Sequence, residues 1–200
     1  MARHQNSCLL VLDMQNDLVH PEGKLGKAGL GEFIAENGIL ERTASVIAAM
    51  RAAGRPVGYV RVAFKADNSD VISRHPRVKT MRDMGALTDG EWGGAIHDSV
   101  APEAGDPIFT KQSVNPFVST NIGNWLFRHG IGEIVLAGVA TNQVVEATAR
   151  HADDIGLLAT VLEDCCASPK KEMHDFVIAN VIPTVGRAIS AEAFTGELKA

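Results

Sequence analysis

The 200-residue sequence has few cysteines and few aromatic residues, and it carries no excess of positive charge. Its three cysteines are an odd number, which argues against a disulfide framework, and they lack the spacing of metal ligands, which argues against a structural metal site. The formal net charge of −5 argues against a general nucleic-acid-binding protein, because such proteins usually present a basic surface. We therefore expect neither a nucleic-acid partner nor a disulfide-stapled secreted fold.

Long apolar runs are also missing. No run approaches the roughly 18 residues that a membrane span needs, and the apolar segment at residues 8–12 is too short for a signal peptide. We therefore expect a cytoplasmic protein without a membrane partner. A hydrophobic fraction of 46% and a charged fraction of 22% are ordinary for globular proteins, and the length predicts one domain over residues 1–200.

Short apolar runs alternate with longer amphipathic segments along the chain. This alternation predicts a parallel sheet with helices on both faces, a three-layer α/β/α fold. The carboxyl ends of its strands share one edge, where ligands bind in such folds. The predicted strands are 8–12, 56–62, 107–111, 131–139, 157–162 and 184–189. The predicted helices are 31–53 (one helix, or a short one and a long one), 121–129, 141–155 and 168–180.

Residues 64–106 show no clear period and are rich in Asp, Gly, Arg and Met. Loops of this length inside a compact domain are usually functional. We interpret the segment as an excursion over the surface that covers a site or forms a subunit contact.

Three features at predicted strand ends could carry chemistry. Asp13 ends an apolar strand, where partial desolvation raises a carboxyl pKa and suits it to proton transfer. Lys111 ends the third strand and could steer an anion. Residues 138–142 join a strand to a helix whose first N–H groups could bind an oxyanion. Each feature also has an ordinary structural reading, as a turn-former, a solvated lysine or a plain strand–helix turn.

Four segments of the sequence carry a resemblance to a known family. They are Leu10-Val11-Leu12-Asp13-Met14-Gln15-Asn16-Asp17, Thr110-Lys111 with Phe117, Gly138-Val139-Ala140-Thr141-Asn142 with residues 145–150, and Glu163-Asp164 with Ala167. Together they resemble the isochorismatase-like (cysteine hydrolase) family. The resemblance implies a six-stranded parallel sheet, a homo-oligomer, and an Asp, a Lys and a nucleophilic Cys at the site. Asp13 and Lys111 match the first two.

The third catalytic position departs from the family, because Val144 stands where the nucleophilic Cys aligns. Valine offers no nucleophile, so a covalent thioester at this position is impossible. We expect a hydrolase that acts on a small polar molecule through Asp13 as general acid and base, without a covalent intermediate. Two alternatives remain: a thiol-dependent amidohydrolase that uses Cys165 or Cys166, and a catalytically silent binding or interaction protein.

Lys111 poses a geometric difficulty. The strand order 3-2-1-4-5-6 that the family implies separates the third strand from the first by about 10 Å. That distance is more than a lysine side chain spans comfortably. Either the lysine enters from a loop that folds back, or the strand lengths differ from those predicted.

Further residues near the predicted edge could contact a substrate. His20 could do so from its turn, although a surface histidine is the simpler interpretation. The scattered histidines include no i, i+4 pair, so we expect no metal and no cofactor. The candidate substrate-binding residues are Gln15, Phe64, Trp92, Asn115, Phe117, Ala140 and Thr141.

Overall fold

A computed structural model describes residues 6–199 of the chain. Six parallel strands form one sheet in the order β3-β2-β1-β4-β5-β6, which confirms the predicted fold class. The strands are Ser7–Leu12 (β1), Val57–Val62 (β2), Ile108–Lys111 (β3), Glu133–Val139 (β4), Leu158–Ala167 (β5) and Arg187–Ile189 (β6). The α-helices are Asn16–Val19 (α1), Leu30–Glu36 (α2), Ile39–Ala52 (α3), Pro76–Asp83 (α4), Pro116–Ser119 (α5), Ile122–Arg128 (α6), Glu146–Asp154 (α7), Lys171–Phe176 (α8) and Ala191–Lys199 (α9).

The sheet is buried on both faces, because the side chains of its central strands alternate between two helical layers. Every residue of β1 is buried. Leu9 and Val11 pack with side chains of α3 and α9, whereas Leu10 and Leu12 pack with side chains of α6 and α7. A continuous apolar strand is typical of this doubly covered position.

The helices within residues 6–199 include none with the length and apolar character that a membrane span needs.

The end of β5 differs from the prediction. Leu136 of β4 pairs with Val161, but Gly138 pairs with Cys166, so β5 carries extra residues between these pairs and bulges. The sequence predicts that the strand ends at the polar residues 163–164, but these residues lie inside it. The carboxyl end of β5 moves from residue 162 to Ala167.

Two neighbouring elements are also shorter or more divided than predicted. The strand expected at 184–189 is only Arg187–Ile189, because a 3₁₀ turn, Ile182–Thr184, precedes it. The helix expected at 168–180 is α8 followed by a π-helical turn, Val177–Val181. By contrast, the segment expected at 31–53 is the short helix and the long helix that the sequence allowed.

The excursion between β2 and β3 is more ordered than its lack of periodicity indicates. It contains α4 and two 3₁₀ turns, and it has a small core in which Phe64 packs with Val78 and Leu87. The buried guanidinium of Arg82 donates to the backbone carbonyls of Lys65 and Ala86. The small apolar core and the hydrogen bonds of Arg82 therefore hold this segment together. Neither gives the sequence a helical or strand periodicity.

Candidate active site

Asp13 follows β1 directly and turns the chain sharply. Its φ of 55° lies in the left-handed region, and its N–H donates to the carbonyl of Val60 at 2.9 Å. Only 6% of the residue is exposed. The turn thus holds a carboxyl group, nearly free of solvent, at the carboxyl edge of the sheet.

Lys111 reaches Asp13 directly. Its Nζ lies 2.8 Å from Asp13 Oδ2 and 3.1 Å from the carbonyl oxygen of Ser113, and the residue is 2% exposed. Lys111 pairs with Val62 in the sheet, so its ammonium group passes the end of β2 to reach the turn after β1. The expected difficulty is resolved, because the lysine and the aspartate side chains span the separation together.

The Asp13 carboxyl group feels two opposing influences. Burial raises its pKa above the ordinary value of 3.8, and the charge and hydrogen bond of Lys111 lower it by a smaller amount. Oδ2 accepts from Lys111, but the buried Oδ1 has no hydrogen-bond partner among residues 6–199. A buried acceptor without a partner is costly, and such atoms cluster at functional sites. The group can therefore exchange a proton through Oδ1 while Oδ2 stays anchored.

The start of the helix after β4 lies beside the end of β1. Leu12 pairs with Gly138, and a Cβ at position 138 would collide with the carbonyl oxygen of Leu12, so only glycine permits this approach. Val144 lies in the following π-helical turn, Thr141–Val145, and is 1% exposed. It packs in the same apolar cluster as Leu12, at the position where the sequence predicts a missing nucleophile.

Several donors at this helix start are already engaged. The N–H of Asn142 donates to Ser168 Oγ at 3.3 Å, and the N–H of Gln143 donates to the Ala140 carbonyl at 3.0 Å. The Thr141 hydroxyl is fully buried and lies 2.8 Å from His174 Nδ1. The anion site expected around residues 140 and 144 therefore has fewer open donors than a bare helix terminus offers.

Three other predicted residues hold the excursion in place. The buried Gln15 amide donates to the carbonyls of Val62 and Gly94, both at 2.8 Å, and accepts from the Val62 N–H. Phe64 is enclosed in the small core of the excursion. Trp92 is 54% exposed, and its ring meets His20 edge-on. The structure gives these side chains partners away from the Asp13–Lys111 pair, so their contact with a substrate stays a prediction.

Asn115 and Phe117 follow β3 and contact α7. Asn115 Oδ1 accepts from the Phe117 N–H at 2.9 Å, and its Nδ2 lies 3.4 Å from His151 Nδ1. The Phe117 ring stacks on the His151 imidazole with a centroid separation of 4.3 Å. These contacts fix the loop after Lys111, and a substrate role for either residue also stays a prediction.

The two cysteines considered as alternative nucleophiles are buried on opposite faces of β5. Cys165 belongs to the cluster that contains Leu9, and Cys166 belongs to the cluster that contains Leu12. Burial raises the pKa of Cys165 to about 12 and raises that of Cys166 further above its ordinary range. Neither thiol has the low pKa that a reactive thiolate needs.

Several polar residues of the site had no distinctive sequence signal. The Ser113 carbonyl binds Lys111, while Ser168 and His174 bind the start of the helix after β4. Every residue has a backbone carbonyl, so the sequence does not show which one binds Lys111. Single Ser or His residues are common in loops and are equally undistinctive. Among residues 6–199, no group of three or more His, Cys, Asp or Glu side chains is arranged to hold a metal ion.

The chain is similar in sequence to known hydrolases. The isochorismatase domain family matches residues 7–193. An uncharacterized isochorismatase family protein of Escherichia coli O157:H7, YecD, is 30% identical over 194 residues, which cover 97% of each chain. The ureidoacrylate amidohydrolase RutB of Pantoea ananatis is 32% identical over 174 residues, which cover 80% of this chain and 68% of RutB.

Solved structures share the architecture. A cysteine hydrolase from Pseudomonas syringae pv. phaseolicola 1448A superposes with a TM-score of 0.86 at 19% identity, and the match covers 97% of this chain and 92% of that one. An isochorismatase family protein from Desulfovibrio vulgaris superposes with a TM-score of 0.84 at 22% identity, covering 98% of this chain and 99% of that one. At these identities the likeness shows the fold alone.

Proposed function

The chain belongs to the isochorismatase family, and from that premise we propose that it hydrolyses a small polar molecule through Asp13 without a covalent enzyme intermediate. The observation that carries the proposal is the buried Asp13–Lys111 pair with one unpartnered carboxyl oxygen. The proposal also assigns Val144 to the position of the family's nucleophile. An amidohydrolase among the relatives favours a carbon–nitrogen bond as the target.

The proposed reaction uses one water molecule and one carboxyl group. Asp13 Oδ1 removes a proton while the water oxygen attacks the substrate carbonyl carbon. The protonated carboxyl then returns that proton to the leaving nitrogen, the carbon–nitrogen bond breaks, and Asp13 is again ionised. If the substrate is a vinyl ether, the protonated Asp13 carboxyl first gives its proton to the alkene carbon. Water then adds to the oxocarbenium carbon and returns a proton to Asp13, and the resulting hemiketal breaks its carbon–oxygen bond as its hydroxyl proton passes to the leaving oxygen. In both cases the atoms balance without a cysteine.

Lys111 acts on Asp13 rather than on the substrate in this proposal. The ammonium group favours the carboxylate form that must accept the first proton. Its two bonds, to Asp13 Oδ2 and to the Ser113 carbonyl, also hold the carboxyl plane in one orientation. Lys111 is therefore a positioning residue, and the carboxyl group of Asp13 carries the proton.

In this proposal Val144 occupies the position of the family's nucleophile, which closes the covalent route. The residue is buried and apolar, so it provides no bond-forming atom. The alternative thiols, Cys165 and Cys166, are buried with raised pKa values, which favours a core role. The chain thus keeps the two groups that the non-covalent route uses, the Asp13 carboxyl group and the Lys111 ammonium group.

The test is a search for turnover on small amides, ureido compounds and isochorismate-type vinyl ethers. Active substrates are then assayed with Cys165→Ala and Cys166→Ala, because alkylating reagents reach buried thiols poorly. We expect both variants to keep kcat/KM within about threefold of the wild type. A loss of turnover in either variant, with its melting temperature retained, would establish the thiol route and reject the proposal. No turnover on any substrate, together with a tightly bound co-purifying ligand, would instead support the silent binding protein.

A further inference from the structure

A cavity of about 250 Å³ lies at the carboxyl end of β5, between the junction of α2 with α3 and the helix α8. Neither Asp13 nor Lys111 lines it, so it is distinct from the pair described above. Phe33 and Ile39 form part of its apolar wall, and Phe33 is 37% exposed. Most of the other lining residues have polar or charged side chains.

The charged side chains around the cavity neutralise one another in two pairs. Arg42 Nε lies 3.3 Å from Asp164 Oδ2, and its other nitrogens donate to the carbonyls of Asp164 and Asn37. Lys171 Nζ lies 2.5 Å from Asp175 Oδ2. Both cations therefore already have a carboxylate partner in this chain.

Glu163 is the exception among these charged groups. Its partly buried carboxylate forms no hydrogen bond or ion pair with any residue in the described range 6–199, although it lines the cavity. It also lies in the bulge of β5, and bulges commonly re-aim a side chain next to a site. The cavity is thus left with one negative charge that no described side chain pairs with, and an aromatic ring, that of Phe33, is also part of its lining.

From this balance we propose that the cavity binds a small organic monocation, such as a primary alkylammonium group. The ammonium group would pair with Glu163, and its alkyl part would pack on Phe33 and Ile39. An aromatic face also attracts cations directly. His174 also lines the cavity, and burial lowers the pKa of its imidazole below the ordinary value, while Asp175 and Glu163 oppose that shift. The binding does not depend on the proposed hydrolysis.

Two residues that line the cavity also contact the start of the helix after β4, which carries Val144. His174 contacts the Thr141 hydroxyl, and Ser168 bonds to both the N–H and the side chain of Asn142. Occupancy of the cavity should therefore change the environment of the Thr141 and Asn142 amides, which provides a spectroscopic readout that needs no substrate.

The experiment titrates the protein with butylammonium chloride and follows backbone amide shifts by NMR. 1-Butanol and sodium butyrate, at matched ionic strength, test the charge requirement with nearly the same alkyl part. We expect saturable shifts at residues 141–142 and 163–168 with butylammonium, and binding at least about tenfold weaker for the alcohol and for the carboxylate. Equal binding of butyrate, or no saturable shift with butylammonium, would reject the proposal.

Three variants locate the binding. Glu163→Gln keeps the shape and removes the charge, and it should weaken butylammonium binding at least about tenfold. Glu172→Gln removes a charge from an exposed residue of α8 outside the cavity, and it should bind as the wild type does. Asp13→Asn should also bind normally, which separates this site from the proposed reaction. Wild-type affinity in Glu163→Gln, or an equal loss in Glu172→Gln, would overturn the assignment.

Discussion

At the scale of single residues, the account depends on how the two oxygens of Asp13 differ. Oδ2 accepts a hydrogen bond from the Lys111 ammonium group, whereas Oδ1 has no hydrogen-bond partner among the described residues. Burial and the lysine act on the carboxyl pKa in opposite directions, and burial has the larger effect. Lys111 thus limits how far burial raises the pKa of the carboxyl group, as the proposed proton exchange requires.

This balance predicts the effect of Lys111→Met. Removing the ammonium group removes the influence that lowers the pKa of Asp13, so that pKa should rise by at least one unit above the wild-type value. Selective ¹³C labelling of aspartate carboxyl groups and a pH titration by NMR measure it without a substrate. An unchanged or lower pKa in Lys111→Met would show that the ion pair does not govern the proton affinity of Asp13.

The sequence predicted the two partners but not their contact. A carboxylate after an apolar strand and a lysine at another strand end are visible as residue types. The left-handed turn at Asp13 and the unpartnered oxygen depend on tertiary packing, which no residue pattern encodes locally. Gln15 shows the same limit, because its place in a motif does not reveal that its amide binds two backbone segments.

At the scale of elements, β1 and the turn after it organise the carboxyl edge of the sheet. Gln15 binds both the N–H and the carbonyl of Val62 at the end of β2, and it binds the carbonyl of Gly94 in the excursion. One side chain therefore joins three segments around Asp13. Sequence patterns located these strands well, because buried parallel strands are short apolar runs. They missed the bulge of β5, because polar residues inside a strand resemble its end.

Gln15→Ala should destabilise the fold markedly. The change leaves one N–H and two carbonyls without their side-chain partner, and we expect a loss of about 2–4 kcal/mol in the free energy of unfolding. Urea denaturation followed by circular dichroism measures it. Gln143→Ala, an exposed position, is the matched control and should stay within about 0.5 kcal/mol of the wild type. Similar losses in both variants would contradict the role assigned to Gln15.

At the scale of the whole molecule, histidines tie loop structure to pH. Nδ1 accepts a backbone N–H in His20, His75 and His97, which requires a ring without a proton on that nitrogen. Burial, and the nearby His20, lower the pKa of His97 below 6.5, while Asp98 and Glu41 oppose that shift. The bond to His97 lies in the excursion, so acid should loosen that segment.

The expected pH dependence follows from the sign of the shift. Because the folded pKa of His97 is lower than the unfolded value, its contribution to stability is complete above pH 6.5 and is lost as the pH falls below 6.5. His174 acts in the same direction. The raised pKa of Asp13 acts in the opposite direction, at pH values above 3.8. The two histidine contributions should therefore lower the free energy of unfolding as the pH falls from about 7 to about 5.

His97→Asn tests this dependence, because asparagine can accept the same N–H but does not titrate. Urea unfolding at a series of pH values should show a shallower decline for this variant than for the wild type. His129→Asn is the control and should keep the wild-type slope, because His129 Nδ1 faces the Trp125 carbonyl and accepts no backbone N–H. A wild-type slope in His97→Asn would refute the histidine account.

The most direct test of the central claim is kcat/KM of Asp13→Asn on whichever substrate the wild type hydrolyses. Asparagine has nearly the shape of aspartate but cannot accept and return a proton, so we predict a fall of at least about 100-fold. Asp153→Asn, at an exposed position of α7, should remain at the wild-type value. Retention of kcat/KM within tenfold by a folded Asp13→Asn variant would contradict the account, because hydrolysis would then proceed without the carboxyl group on which it rests.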